Sequence, residues 1–225
     1  MTYDFDNTVV KPLNKKFEVP DSGKMYNAII SYVWNVGRQQ SEYNNEVKIS
    51  YAIVVGFVLD QKDSDGENLV HYENYTVGQR NIYIHEKSTL AKRLCSITGK
   101  KVDIAKQILE NEDGEIDFKK LIGLKCTLNF VESGKNGDKR RISSAMGGQD
   151  SNKLVVEDKL AMTGDDVPAY VKFFRKQAVG ETVFNDYIKE LDEKRELETI
   201  TPIATTKKSA PKKNNDVELS EEVPF

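Results

Sequence analysis

Cysteine and histidine are scarce in this 225-residue chain, which holds two of each. Cys95 and Cys126 are too few for a disulfide framework and stand far from any metal-ligand spacing, so both read as reduced thiols. His71 and His85 leave a histidine-based triad or zinc site little to draw on, and His85, beside a helix start, reads as structural. No Gly-rich loop followed by Lys and Ser/Thr offers a phosphate cradle. No apolar run approaches the roughly 18–20 residues that span a bilayer. The stretch Met1 to Asp6 lacks the basic and apolar regions of a secretory signal. The chain is therefore expected to be cytoplasmic and non-enzymatic, with no cofactor and no bound metal.

Charge is plentiful, at 31% of residues against 38% hydrophobic, and the net value is −3. That total argues against a polyanion partner until placement is considered. Residues 76–101 carry Arg80, Lys87, Lys92, Arg93, Lys100 and Lys101 against the single acid Glu86. Residues 124–149 carry Lys125, Lys135, Lys139, Arg140 and Arg141 against Glu132 and Asp138. The acids gather elsewhere, in 60–67, 110–117, 186–198 and at the end of the chain. Charge is segregated along the sequence.

Met25 to Val36 and Ile49 to Leu59 are rich in β-branched and aromatic residues with a period near two, as strands require. In the second run Ile49, Tyr51, Ile53, Val55, Phe57 and Leu59 share one bulky face. Lys48, Ser50, Ala52, Val54, Gly56 and Val58 share the other, a small face of the kind a ligand approaches. Trp34 falls with Tyr26, Ala28, Ile30, Tyr32 and Val36 on one apolar strand face and reads as core. The polar stretch Gly37 to Asn45 between the strands is expected to be a loop, and Gln61 to Asn68 an acidic one. A third extended stretch runs from Leu69 to Ile84 with a bulge or bend at Gly78.

Leu90, Leu94 and Ile97 then fall at helical spacing, with a stop at Gly99. Asp103 to Leu109 and Asp117 to Ile122 read as short helical turns, each opened by an Asp suited to capping. Leu124 to Val131 and Arg141 to Met146 return to strand character around Ser133 to Asp138, whose Gly and Asn suit a hairpin. Three strands, a helix and two strands give the order of a five-stranded OB-fold barrel with its helix between strands 3 and 4. The expected class is mainly β with appended helices (α+β). Val167 to Ala178 and Thr182 to Glu198 read as helices, the first opened by Asp165 and Asp166 with Pro168 in its first turn. Beyond Glu198 the apolar pattern vanishes and Thr, Lys, Pro and Asn dominate, the composition of a disordered segment. The expected organisation is an arm over 1–22, the barrel domain over 23–150, a helical extension over 151–198 and a disordered tail over 199–225.

Several motifs fail on inspection. Asp63 to Gly66 and Asn111 to Gly114 imitate calcium loops, but their first and last ligand positions fall on Gln61 and Tyr72, and on Leu109 and Lys120. Gly134 to Gly137 imitates a KH clamp, yet it joins strands where that clamp joins helices.

The chain ends Asp216-Val217-Glu218-Leu219-Ser220-Glu221-Glu222-Val223-Pro224-Phe225. Carboxylates precede an apolar, Pro-stiffened aromatic tip, which suits a pocket with a hydrophobic floor and a basic rim. This end resembles the acidic, Pro-Phe-ending tail of bacterial single-stranded DNA-binding proteins, with Val223 where that tail usually has Ile. A second resemblance spans roughly residues 20–147. It rests on Gly23-Lys24-Met25-Tyr26-Asn27-Ala28, Tyr75-Thr76-Val77, the run from Ile82-Tyr83-Ile84-His85-Glu86-Lys87 to Leu94, and Asp117 to Cys126. These segments are similar to a family of small phage replication proteins regarded as OB-fold single-stranded DNA-binding proteins; this chain departs by inserting Gln79-Arg80-Asn81.

The resemblances imply a sequence-non-specific protein that coats single strands during replication or recombination in the (host) cytoplasm. It would gather replication or recombination proteins through Asp216, Glu218, Glu221, Glu222, Val223, Pro224 and Phe225, and a homo-oligomer is admitted. They do not say which residues meet the strand. Such binding needs cations for phosphates and rings for bases. The candidate cations are Arg38, Lys48, Arg80, Lys135, Lys139 and Arg140; the candidate rings are Tyr43, Tyr75 and Tyr83. The rival readings are a recombination accessory or annealing protein, and an OB-like protein–protein adaptor without DNA binding.

Overall fold

The computed structural model describes residues 18–43, 45–134, 139–149, 151–156 and 167–200. Strands β1 (Met25–Tyr43), β2 (Glu46–Lys62) and β3 (Asn68–Thr76) lead into helices α1 (Thr89–Thr98) and α2 (Val102–Gln107). A 3-10 turn (Phe118–Leu121) precedes β4 (Lys125–Ser133) and β5 (Lys139–Gly147), and α3 (Ala169–Lys176) and α4 (Glu181–Ile200) follow. The strands form one antiparallel sheet in the order β3-β2-β1-β4-β5. The protein is mainly β with helices, as expected, but the sheet is open: among the described residues no ladder joins β3 to β5. A first compact unit reaches to Tyr187 and a second begins at Ile188; of the second, the described part is the remainder of α4. Among the described residues no helix is long and apolar enough to cross a membrane.

The bulky face of β2 lies where its period places it. Ile53, Val55, Phe57 and Leu59 join Leu128 and Phe130 of β4 and Leu90, Leu94 and Ile97 of α1 in the main core, with Tyr51 packed against it. Helix α1 begins where the Ser88 side chain accepts from the Ala91 N–H at 3.1 Å, and it stops at Gly99. Asp117 caps the 3-10 turn through the Lys119 N–H. Asp103 caps nothing: it lies in the first turn of α2, whose N-cap position is Lys101. Pro168 is likewise the N-cap residue of α3. The expected bend at Gly78 is present at φ 118, where a Cβ would run into the Asn81 carbonyl oxygen.

Three expectations need correction. Gly37 to Tyr43 is strand, not loop: β1 and β2 stay paired out to Tyr43 opposite Glu46, with Asn45 at φ 61 in the turn. Where such a ribbon has no core on either side its residues read as polar; Gln40, Ser41 and Glu42 are all exposed. Trp34 is core, but not on the face shared by Tyr26, Ala28 and Ile30. The β1–β2 register shifts between Ile30 and Tyr32, so the extra residue Ser31 reverses the alternation. Tyr32, Trp34 and Val36 consequently face a second cluster on the other side of the sheet.

The third correction concerns the small face of β2. Ala52 and Val54 are fully buried in that second cluster, beneath Trp34, Val167 and Val171, with Tyr32, Tyr72 and Phe174 packed against it. A Cβ on Gly56 would lie 2.9 Å from Tyr32 Cβ and 3.1 Å from the Tyr72 ring. The face is small because aromatic side chains and α3 close over it, not because it awaits a ligand.

Candidate functional site

With that face covered, an opening lies between the two sheet edges. A cleft of about 1000 Å³ separates β3 from β5, with α1 along one side. Its walls include Tyr72, Glu73, Asn74, Tyr75 and Thr76 of β3, Leu90, Lys92, Arg93 and Ser96 of α1, and Arg140 to Ala145 of β5. Tyr170 of α3 completes it.

Side chains stand in the gap where closing backbone bonds would run. Glu73 Oε1 accepts the Ile142 N–H at 3.2 Å, and Arg93 Nη2 donates to the Ile142 carbonyl at 3.2 Å. Arg93 and Glu73 pair at 3.5 Å, and the Tyr75 hydroxyl donates to Glu73 Oε2. His71 Nε2 stands 3.9 Å from Glu73 Oε1, beyond hydrogen-bond reach. Burial pushes the Glu73 carboxyl up, but His71, the Tyr75 hydroxyl and the Arg93 guanidinium outweigh it and hold the group below the usual carboxylate range. The one carboxylate among the described lining residues is thus ionised and already engaged. Asn74 Oδ1 and Arg93 Nε are buried and find no hydrogen-bond partner among the described residues.

The two basic runs of the sequence meet here. Lys92 and Arg93 come from the first run and Arg140 and Arg141 from the second, four cations against Glu73 among the lining residues. Arg140 is positioned by the Pro20 carbonyl at 2.8 Å and by Glu132 at 4.0 Å, and Lys139 precedes it, exposed at the start of β5. Walls of guanidinium, ammonium, hydroxyl and amide groups suit an extended, polar, multiply anionic ligand.

Compared with known proteins, the chain matches no family model, no curated protein and no solved structure.

The candidate residues divide accordingly. Arg140 and Tyr75 line the cleft. Tyr75, however, is 3% exposed, so its ring cannot offer a face to a base; it serves by fixing Glu73. Arg38 is packed away from the cleft, its Cζ 3.8 Å from the Phe184 ring centroid and its Nη2 2.9 Å from the Tyr51 hydroxyl. With the Val179 N–H on its carbonyl at 2.7 Å, Arg38 fastens the start of α4 to β1. Lys48 and Tyr43 belong to the β1–β2 ribbon, where Lys48 pairs with Ser41. Arg80 and Tyr83 lie on the segment after Gly78; Tyr83 is 56% exposed, with Lys106 Nζ 5.3 Å from its ring centroid. Lys135 and the tail residues Asp216, Glu218, Glu221, Glu222, Val223, Pro224 and Phe225 lie outside the described residues. Lys92, Arg93 and Arg141 belong to the basic runs but not to the candidate site residues, and Glu73 and Tyr170 enter the site only with the fold. Burial pushes the Cys126 thiol up to about 12, which keeps it protonated.

Proposed function

We propose that the protein binds single-stranded nucleic acid, DNA foremost, without sequence preference, along the cleft between β3 and β5. The observation that carries this reading is the convergence of the two basic runs, through Lys92, Arg93, Arg140 and Arg141, on one polar cleft where Glu73, the carboxylate among the described lining residues, is already paired. Phosphates would meet these cations, and Asn74, Ser143 and Ser144 would supply hydrogen bonds that tolerate any base. The strand order is that of an OB-fold, and we read the open sheet as such a barrel parted at β3 and β5. The acidic Val-Pro-Phe end fits a role in recruiting replication or recombination proteins, with the strand bound by the sheet and the partner by the tail.

The test is fluorescence anisotropy of labelled oligo-dT with the full chain across a salt series, repeated with duplex. Expected is preferential binding of the single strand that weakens linearly in log–log form as salt rises, because phosphate contacts release counterions. Absence of binding at low salt would overturn the reading and favour an adaptor.

A further inference from the structure

Helix α3 combines rings and cations without acids: Tyr170, Lys172, Phe173, Phe174, Arg175 and Lys176 lie within its eight residues. Val171, fully buried, and Phe174, packed against the second cluster, fix which side faces the sheet. That leaves Tyr170 38% and Phe173 55% exposed. Tyr170 is held flat on Tyr72, centroids 5.8 Å apart at 19°, and its flank meets Phe174 edge-on at 5.1 Å. Phe173 stands at 86° to Phe174, 5.5 Å away. Burial and then the Glu73 carboxylate raise the Tyr170 hydroxyl above its ordinary value, which agrees with its seat in the cleft wall. Both rings are thus oriented by packing; Tyr170 stands in the wall of the cleft, and Phe173 follows it three residues on along the same helix.

We propose that α3 is the base-stacking wall of this cleft, with Tyr170 and Phe173 receiving bases of a single strand whose phosphates run along Lys92, Arg140 and Arg141. This rests on the nucleic-acid reading of the cleft and names the groups that would make it prefer unpaired bases. A polymer with regular negative charge and flat apolar rings matches both features of the helix, and single-stranded nucleic acid has that chemistry. In a duplex the base faces are already stacked, so these rings would have nothing to receive.

The experiment titrates the full chain into oligo-dT and into an abasic oligomer of equal length. The variants are Tyr170→Ala, Phe173→Ala and the conservative Tyr170→Phe. Each alanine is expected to weaken dT binding by about tenfold while abasic binding stays unchanged, and Tyr170→Phe is expected to keep wild-type affinity. Should Tyr170→Ala melt early through loss of the Tyr72 stack, Phe173→Ala, whose ring is mostly in solvent, decides alone. Equal weakening on both oligomers would make the rings structural and overturn the inference. Unchanged binding on both would assign the rings to another partner, an acidic apolar peptide included, and overturn it as well. In either case the cleft reading survives. Wild-type protein that binds neither oligomer removes both readings together.

Discussion

Over residues 52–57 both faces of β2 are buried, by opposite means. On one, Ile53, Val55, Phe57 and Leu59 meet Leu90, Leu94 and Ile97 of α1 and Leu128 and Phe130 of β4, and large residues fill space against large residues. On the other, Ala52, Val54 and Gly56 lie under Tyr32, Trp34, Tyr72 and Phe174, and Tyr32 stacks on Trp34 at 5.1 Å and 6°. The size of residues on a strand face therefore reports how bulky the cover is, not whether the cover is a ligand. The faces also differ in where they lead. The aliphatic face ends in the core, whereas the aromatic one passes from Trp34 through Tyr72 to Tyr170 at the rim of the cleft. One face supplies most of the apolar burial, and the other orients side chains for the site.

That contrast can be broken by substitution. The largest effect is expected for Phe57→Ala, which removes a fully buried ring from the aliphatic face: about 3–5 kcal/mol by urea denaturation. A loss below about 1 kcal/mol would show that this face does not dominate stability. Glu73→Gln comes next, at about 2 kcal/mol, because Arg93 would lose its charged partner within the gap. The pH dependence follows from the depressed Glu73 value. Its contribution is complete above the ordinary carboxylate value near 4.5 and is lost as pH falls through the lower, folded value. Acid titration of wild type should show that loss and the Gln variant should lack it; parallel curves would remove Glu73 as the bridge between strands. Gly56→Ala is expected to cost about 1–2 kcal/mol, because the new Cβ presses on Tyr32 and Tyr72. If near-UV circular dichroism changes little while the melting temperature falls, the rings move apart without reorienting, and the two faces do not differ in how they hold their cover.

Much of the fold was legible because local periodicity carried it: the odd face of β2, the Leu90-Leu94-Ile97 stripe of α1 and the Asp117 cap are where spacing puts them. What escaped depended on single residues or on distant ones. Ser31 is one extra residue, yet it turns Tyr32, Trp34 and Val36 to the opposite side. The β1–β2 ribbon has the composition of a loop because polar side chains line an extended pair as readily as a coil. For the site, sequence gave the two basic runs, but their meeting depends on the topology that sets α1 beside β5. Tyr170 lies beyond the five strands, and only packing against Tyr72 brings it to the cleft. The signal available was the acid-free alternation of rings and cations in α3, which a core helix does not need.

The smallest effect expected on stability is also the most discriminating for function. Lys92→Ala and Arg141→Ala remove exposed cations from the cleft, so each should shift stability by no more than about 0.5 kcal/mol. If each meets a phosphate, oligo-dT binding weakens at every sequence and the log–log salt slope falls by about one unit per residue removed. Arg38→Ala is the matched control on the other side of the comparison. Its guanidinium lies between Tyr51 and Phe184, so its removal should lower stability by about 1–2 kcal/mol with the salt slope unchanged. The reverse pattern, a slope that drops for Arg38 and not for Arg141, would move the strand from the cleft to the β1–β2 ribbon. The aromatic face would then be a second core and nothing more.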